Sequence, residues 1–415
     1  MPRLVLILPS STYRAEDFLT AAATLGVEVV VASEHRQTLS AAMGERALVL
    51  DPCDPEGAAD AVAALAARLP VDAVVAVDDE GVLAAAAAAR RLGLPHNPPG
   101  AVAATRDKAR LRAALAGGGV RQPAYRVVGP GADAGDAGAE LGFPVVVKPV
   151  GLSASRGVIR ADDPAAARDA AARARAIAVS AGRDPAAPLL VEAFVPGPEV
   201  AVEALVSDGA VQPLVVFDKP DPLDGPYFEE TIYVAPSRLE PEALTSIEEV
   251  VGDAVAALGL RHGVVHAELR VPAGRAHLIE VAARSIGGLC SRALRFGTGR
   301  SLEELVLGNA LGLPLAGTDR REEAAAGVMM IPIPAEGRLV AVGGVEAARA
   351  VPLVTDVQIT IPAGGRVVPL PEGDRYLGFV FARGGEAASV EAALRAAHQR
   401  LQIEIAPAGE TVAVR

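Results

Sequence analysis

The stretch that decides the fold runs from His266 to Arg292, HAELRVPAGRAHLIEVAARSIGGLCSR. It reads as two strands joined by a turn, VVHAELRV and AHLIEVAAR. Each strand carries one acid among apolar neighbours, Glu268 in the first and Glu280 in the second. Arg284 follows the second acid, and Gly287-Gly288 closes the segment. A bare carboxylate in a half-buried strand is costly unless something pairs it. Adjacent antiparallel strands bring the two acids together, where one carboxyl pKa rises unless a cation bridges them. Hard oxygen ligands suit Mg2+, which binds through one or two carboxylates plus the oxygens of a phosphate substrate. A metal–phosphate complex would therefore pair the acids. Arg284, beside glycines that let a ligand approach the backbone, suits an oxyanion or a carboxylate. A surface hairpin with a casual Glu–Arg pair is the other reading of the same residues.

Three neighbouring segments carry related chemistry. Lys148 ends the apolar strand PVVVK and precedes a loop with Gly151, Ser153, Ser155 and Gly157. A strand lysine needs a partner, and a loop of small residues offers backbone N–H groups to an anion. Together they read as a phosphate clamp; a strand-end lysine reaching water beside an ordinary hairpin also fits. The lysine precedes the glycines, so this is not a P-loop. In LLVEAFVPGPEVAVEALV, a strand–turn–strand, Glu192 and Glu199 stand near the turn, and Glu199 is placed to accept from hydroxyls. His266 lies two residues before Glu268, which puts both on one strand face; it orients substrate, takes a proton, or is structural. Glu229 and Glu230, in YFEETIYVAP, lie on a polar stretch that is a candidate to face substrate.

Composition sets outer limits. The chain has 415 residues, 51% of them apolar, no Trp and a net charge of −12. That length suggests two to four structural units. No dense Lys/Arg stripe exists, which argues against a nucleic-acid partner. Cys53 and Cys290 are far apart and lack CxxC spacing, which argues against a structural zinc or a disulfide framework and for a reducing cytoplasm. The apolar run in MPRLVLILPSS is too short for a signal or a membrane span, and LAAAAAARRLGL ends in charges, so no membrane association is expected.

The first hundred residues alternate strand and helix with continuous apolar strands, which predicts a parallel sheet covered on both faces. No GxGxxG follows the first strand; the hydroxyl-rich turn PSSTYR stands there. LGLPHNPPG breaks structure and places a boundary near Pro98. TRDKARLRAALAGGG reads as a basic helix, a second helix fills about 164–181, and a linker at 318–323 precedes ninety mostly β residues closed by SVEAALRAAHQRL.

Taken in order, RDKARLR, VVVKPVGLSASRGV, LLVEAFVPGPEV, VVHAELRV and LIEVAARSIGG resemble the ATP-grasp ligases over roughly 100–312, with the flanking units in the expected places. The resemblance implies an ATP-grasp fold of α/β and α+β class. Its parts would be a Rossmann-like domain over 1–98, a central domain over 99–317 with a mobile lid at about 123–195, and a β-rich domain over 318–415. It implies that Lys108 and Lys148 contact the nucleotide and that the loop holding Ser153, Ser155 and Gly157 is a flap over the phosphates. Glu192, Ala193 and Val195 would form the hinge that receives adenine, and Glu199 would accept from the ribose. Glu268 and Glu280 would hold Mg2+, with Mn2+ as substitute. Arg284 would steady an acyl-phosphate, and Glu230, Gly287 and Gly288 would face substrate.

EVAAR followed by Gly-Gly is most similar to L-amino-acid ligases, which implies an ATP-dependent ligase joining a small carboxylate to an amine, with a homodimer as one allowed assembly. Biotin carboxylases place Asn where this chain has Ala282, and no biotinyl segment such as AMKM occurs, which argues against carboxylation. Another ATP-grasp reaction, of the biotin-carboxylase or purine-pathway kind, and an ATP-binding protein without turnover are the alternatives.

Overall fold

In the computed structural model, the residues described are 1–10, 12–36, 44–297, 299–314 and 324–407; the linker read at 318–323 lies outside them. The first unit is a four-stranded sheet of β1 (Arg3–Ile7), β2 (Glu28–Ser33), β3 (Ala47–Val49) and β4 (Ala73–Ala76). Its order is β3-β2-β1-β4 and every pair is parallel. Leu4 to Ile7 are all buried, as a strand covered on both faces requires.

Residue 98 is followed at once by a helix, Pro99–Thr105, with proline at its start, where a missing N–H costs nothing. The basic helix read across 105–119 is a separate helix, Lys108–Gly117, which begins later than expected because the Asp107 side chain accepts from the N–H groups of Ala109 and Arg110 and caps its N-terminus.

A second four-stranded sheet holds β5 (Tyr125–Val128), β6 (Val145–Pro149), β7 (Ile159–Ala161) and β8 (Leu189–Ala193), in the order β5-β8-β6-β7. Helices Ala134–Leu141 and Pro164–Ser180 contribute to its core. The first of these is not legible in the sequence, since GDAGAELG carries little periodic apolar signal; Asp133 caps it.

The largest sheet has eight strands. They are β9 (Glu199–Ser207), β10 (Ala210–Lys219), β11 (Ile232–Ala235), β12 (His262–Arg270), β13 (His277–Ala282), β14 (Ala325–Ile331), β16 (Val354–Ile359) and β18 (Gly378–Gly384). Their order is β13-β12-β9-β10-β11-β14-β18-β16, so strands from both sides of residue 318 share one sheet. A small sheet of β15 (Gly337–Gly343), β17 (Arg366–Val367) and β19 (Gln402–Ala406) completes the fold.

LLVEAFVPGPEVAVEALV forms the two strands and the turn expected of it, but the strands do not pair with each other. Its first strand, β8, pairs with β5 and β6, while its second, β9, pairs with β10 and β12. Pro196-Gly197-Pro198 is the crossing between two sheets. Proline cannot donate to a ladder, so neither sheet continues through it.

Alternation along β12 fixes the site. Val265, Ala267 and Leu269 face the core under helix Pro241–Leu258. His266, Glu268 and Arg270 therefore point to the other face. No helix among the described residues is long and apolar enough to cross a membrane, and both cysteines are free.

Candidate active site

The two acids of the opening segment meet in register: Glu268 of β12 lies directly opposite Glu280 of β13. A bulge follows, because Leu269 pairs with Leu278 and leaves Ile279 as the extra residue. Ile279 faces a small pocket beside Lys148 and Glu192, and its carbonyl accepts from the Arg112 guanidinium at 2.6 Å.

The neighbouring strands complete a polar grid. His266 lies opposite Glu203, Arg270 opposite Glu199, and Glu199 opposite Lys219. Lys219 is the centre of this grid. Its ammonium sits 2.8 Å from Glu199 and 3.5 Å from Glu268, and it also bonds Glu230. Glu199, Glu230 and Glu268 each present an oxygen within 4.8 Å of the others. Burial alone would depress the Lys219 pKa, but Glu199, Glu230 and Glu268 together raise it well above the ordinary lysine range. Burial also pushes Glu230 up, and Glu268 adds to that shift. For Glu268, burial is outweighed by Lys219, His266 and Arg284, which hold it well below the usual range.

His266 is itself clamped. Its Nδ1 is 2.5 Å from Glu203, and its Nε2 is 3.3 Å from Glu268. Burial would lower its pKa, but the Glu203 charge and hydrogen bond, with Glu268 behind them, raise it to about 9. Glu203 is wholly buried and also accepts from the Ile286 backbone N–H at 3.1 Å. One acid thus ties the His266 side chain to the segment that carries Arg284 and Gly287-Gly288.

Arg284 is held from the first unit. Asp79 accepts from it at 3.0 Å and pairs with Arg106 at 2.9 Å. Burial would raise Asp79, yet Arg284 and Arg106 hold it well below the usual carboxylate range. Asp78 and Asp79 lie just past the carboxyl end of β4, where ligands of parallel sheets bind. That position is the signal the sequence offers for them.

Two cavities divide the residues singled out from the sequence. The larger, about 630 Å3, is lined by Ser153, Glu230, His266, Glu268, Arg284, Gly287 and Gly288, among others. Thr12, Tyr13 and Arg14, from the hydroxyl-rich turn after β1, also face it; Ser11 lies outside the described residues. The second, at the residues read from the sequence as a hinge and so called the hinge pocket, is lined by Lys148, Glu192, Ala193, Val195 and Glu199 beside Phe194 and Phe228. Lys148 pairs with Glu192 at 2.6 Å, and Arg112 holds the other Glu192 oxygen at 2.5 Å. Burial opposes ionisation of Glu192, but Arg112 and then Lys148 lower its pKa to about 2.

Lys108 lines neither cavity but holds a wall of the larger one. Its ammonium donates to the Leu152 carbonyl at 2.6 Å and to Glu280 at 3.1 Å. Ser155 and Gly157 lie in the loop 151–157 and line neither cavity. Glu229 turns elsewhere; burial pushes its carboxyl up, while the Ile333 backbone N–H meets it. Lys219, Glu203, Asp79 and Arg112 are not among the residues singled out from the sequence. Lys219 carries a usable signal, since VVFDK ends an apolar strand in lysine as PVVVK does.

The residues fit a divalent cation at one pair of acids better than at the other group. Lys219 is shared by Glu199, Glu230 and Glu268 and stays charged there, so a cation within that cluster would meet a like charge close to Glu199, at 2.8 Å, and a more distant one at Glu268, at 3.5 Å. Glu268 and Glu280 face each other across two strands, and Lys108 on Glu280 has a flexible stem that can move to a phosphate.

Comparisons with known proteins agree with this architecture. The family model of the ATP-grasp N-terminal domain matches residues 19–96, that of the ATP-grasp domain 141–293, and that of the L-amino acid ligase C-terminal domain 2 matches 329–406. The alanine–anticapsin ligase of Bacillus subtilis (strain 168) is 30% identical over 233 residues, which are 52% of this chain and 49% of that protein. The chain thus spans about half the length of such curated relatives. Among solved structures, an L-amino acid ligase from Bacillus licheniformis superposes with a TM-score of 0.79 at 27% identity, covering 98% of this chain and 99% of that one. An N5-carboxyaminoimidazole ribonucleotide synthetase from Thermotoga maritima shares the fold, with a TM-score of 0.71 at 17% identity over 98% of this chain and 100% of that one. A parallel sheet, a second four-stranded sheet and an acid-bearing eight-stranded sheet, with ATP-grasp and L-amino acid ligase models matched in order along them, place the chain in the ATP-grasp family, with a C-terminal domain of the L-amino acid ligase kind.

Proposed function

We propose that the protein is an ADP-forming carboxylate–amine ligase that uses ATP and joins an amino acid to an amine through an acyl-phosphate. The observation that carries this reading is the link between the two cavities. Glu199 lines the hinge pocket, Glu230 and Glu268 line the larger cavity, and all three converge on Lys219. A nucleotide with its base at 192–195 would direct its phosphates toward Glu268, Glu280 and Arg284. The same reading divides the chain functionally at about residues 98 and 317, although one sheet runs through the second division.

In this reading Glu268 and Glu280 would hold Mg2+, which would supply charge neutralisation at the phosphates. The chain's own groups do the rest. The substrate carboxylate attacks the γ-phosphorus, the bond to the β-phosphate oxygen breaks, and ADP leaves. The amine then attacks the acyl carbon and phosphate leaves. Positioning and electrostatics carry both steps, because the protein makes no covalent bond to substrate. Lys108 and Lys148 move from Glu280 and Glu192 to phosphate oxygens. Arg284, held by Asp79, meets the oxyanion that develops at the acyl carbon. His266 stays fixed by Glu203 and keeps Glu268 in place. Ser153 and the rest of the flap exclude water.

The test is incubation with ATP, Mg2+ and mixed amino acids, with and without Glu280→Gln. Amide product with ADP and phosphate is expected, reduced at least about 10²-fold in the variant, in line with loss of one preorganised charge contact. Near-normal turnover in Glu280→Gln would remove the metal assignment. Phosphate release that depends on bicarbonate, or none at all, would remove the ligase assignment.

A further inference from the structure

We propose that residues 371–375 latch the flap 151–157, so that the phosphate site and the substrate cavity close as one unit. The contacts on 371–375 come from three residues, Gly157, Arg156 and Arg173. The Gly157 N–H donates to the Pro371 carbonyl at 2.8 Å. Arg156 donates to the Glu372 carbonyl at 3.0 Å and pairs with Asp374 at 3.5 Å. Arg173, on the helix behind the flap, grips the Glu372 carboxylate with two nitrogens at 2.7 and 3.0 Å, and also donates to the Tyr227 hydroxyl. Tyr227 in turn bridges to Ile159, just past the flap.

Both sides of this contact are shaped for it. Gly157 has φ +73°, and a Cβ there would stand 2.8 Å from Pro149. A Cβ at Gly373 would stand 2.0 Å from the Val368 carbonyl oxygen. Each turn therefore needs glycine. At the flap tip, Ala154 and Ser155 take left-handed backbone conformations, φ 56° and 54°, which side-chain-bearing residues avoid. The tip is held in that shape by its surroundings and is not there by local preference. Its other edge is tied by Lys108 to the Leu152 carbonyl.

The latch reaches both halves of the site. Leu152, Ser153 and Arg156 line the large cavity from the flap side, and Asp374, Arg375 and Tyr376 line it from the other. A ligand that seats against 374–376 would therefore favour the closed flap, and a nucleotide under the flap would favour a closed substrate cavity. Glu372 and Arg173 are positioning residues in this scheme, since neither lines the cavity. Their pair is open to solvent, with side chains 42% and 44% exposed, and such pairs are individually weak. The latch can thus open for nucleotide entry at each turnover.

The inference rests on the ligase reading for its consequence. An open flap lets water reach the acyl-phosphate, which then yields the free acid and phosphate in place of the amide. The experiment uses the full chain with Arg173→Glu, Glu372→Arg and the double charge swap. Hydrogen exchange of the flap amides is read first, without nucleotide or substrate. Roughly fivefold faster exchange is expected in each single variant, the effect of losing one good exposed ion pair, with recovery in the swap. Phosphate released per amide formed should rise in both single variants and fall back in the swap. Equal flap exchange in all four proteins overturns the latch. Faster exchange with an unchanged phosphate-to-amide ratio overturns the coupling. The exchange arm needs no reaction, so it decides the latch even where the wild type forms no amide, a result that would instead sink the ligase reading.

Discussion

Lys219 shows how much of this site depends on one side chain. It is the common partner of Glu199, Glu230 and Glu268, all of them sheltered from water. Removing one member of a buried ionic set leaves the rest uncompensated, at a cost of about 3–5 kcal/mol. Lys219→Met should therefore lower the thermal midpoint sharply. Adding Glu230→Gln should recover part of the loss, because Glu230 is the acid that burial and Glu268 already push toward its neutral form. A double variant no more stable than Lys219→Met would show that the hub does not hold as described. Glu268, Glu280 and Arg284 are legible in the sequence because each interrupts an apolar strand or abuts a glycine pair. Their partners are not. Lys219 meets Glu199 across 20 residues, His266 meets Glu203 across 63, and Arg284 meets Asp79 across 205. No local pattern encodes such pairings; they follow from strand register and from the packing of the first unit against the large sheet.

At the scale of elements, Glu192 ties together the elements around the proposed hinge. From β8 it holds Lys148 of β6 and Arg112 of helix Lys108–Gly117, whose guanidinium also caps the Leu278 and Ile279 carbonyls. Its folded pKa of about 2 lies below the ordinary 4.5, so the stabilisation is complete above pH 4.5 and is lost as pH falls toward 2. A shift of that size corresponds to about 3 kcal/mol. The stability gap between wild type and Glu192→Gln should narrow across that window in urea titrations. A gap independent of pH there would mean that Glu192 is not ionised against its partners. The elements themselves are mostly legible, since period and turn residues locate strands and helices. Sheet membership is not. β8 and β9 are both apolar runs beside Pro-Gly-Pro, and that pattern fits a hairpin as well as a crossing between sheets.

For the whole molecule, the three parts expected from the sequence are less separable than their boundaries suggest. β14, β16 and β18 extend the same sheet as β9 to β13, and a core of Ile232, Val234, Met329, Ile331, Val380 and Leu394 joins β11 to the helix Ala387–His398. A chain ending at residue 317 would expose the β11 edge and that apolar face. It should aggregate or lose cooperative unfolding by circular dichroism; a soluble, cooperatively folding 1–317 fragment would contradict the continuous sheet. The larger cavity depends on the same continuity, because its walls come from Thr12 to Arg14, from Arg284 to Gly288 and from Asp374 to Tyr376.

The proposed reaction turns on attack of a substrate carboxylate at the γ-phosphate of ATP, and that attack leaves an isotopic trace. An amino acid labelled with 18O in its carboxyl group is supplied with ATP, Mg2+ and an amine, and the released phosphate is analysed by mass spectrometry. Transfer of one carboxyl oxygen to phosphate for each amide formed is predicted, with ADP as the nucleotide product. Amide formation with unlabelled phosphate, or label carried into AMP, would contradict an acyl-phosphate and with it the proposed roles of Glu268, Glu280 and Arg284.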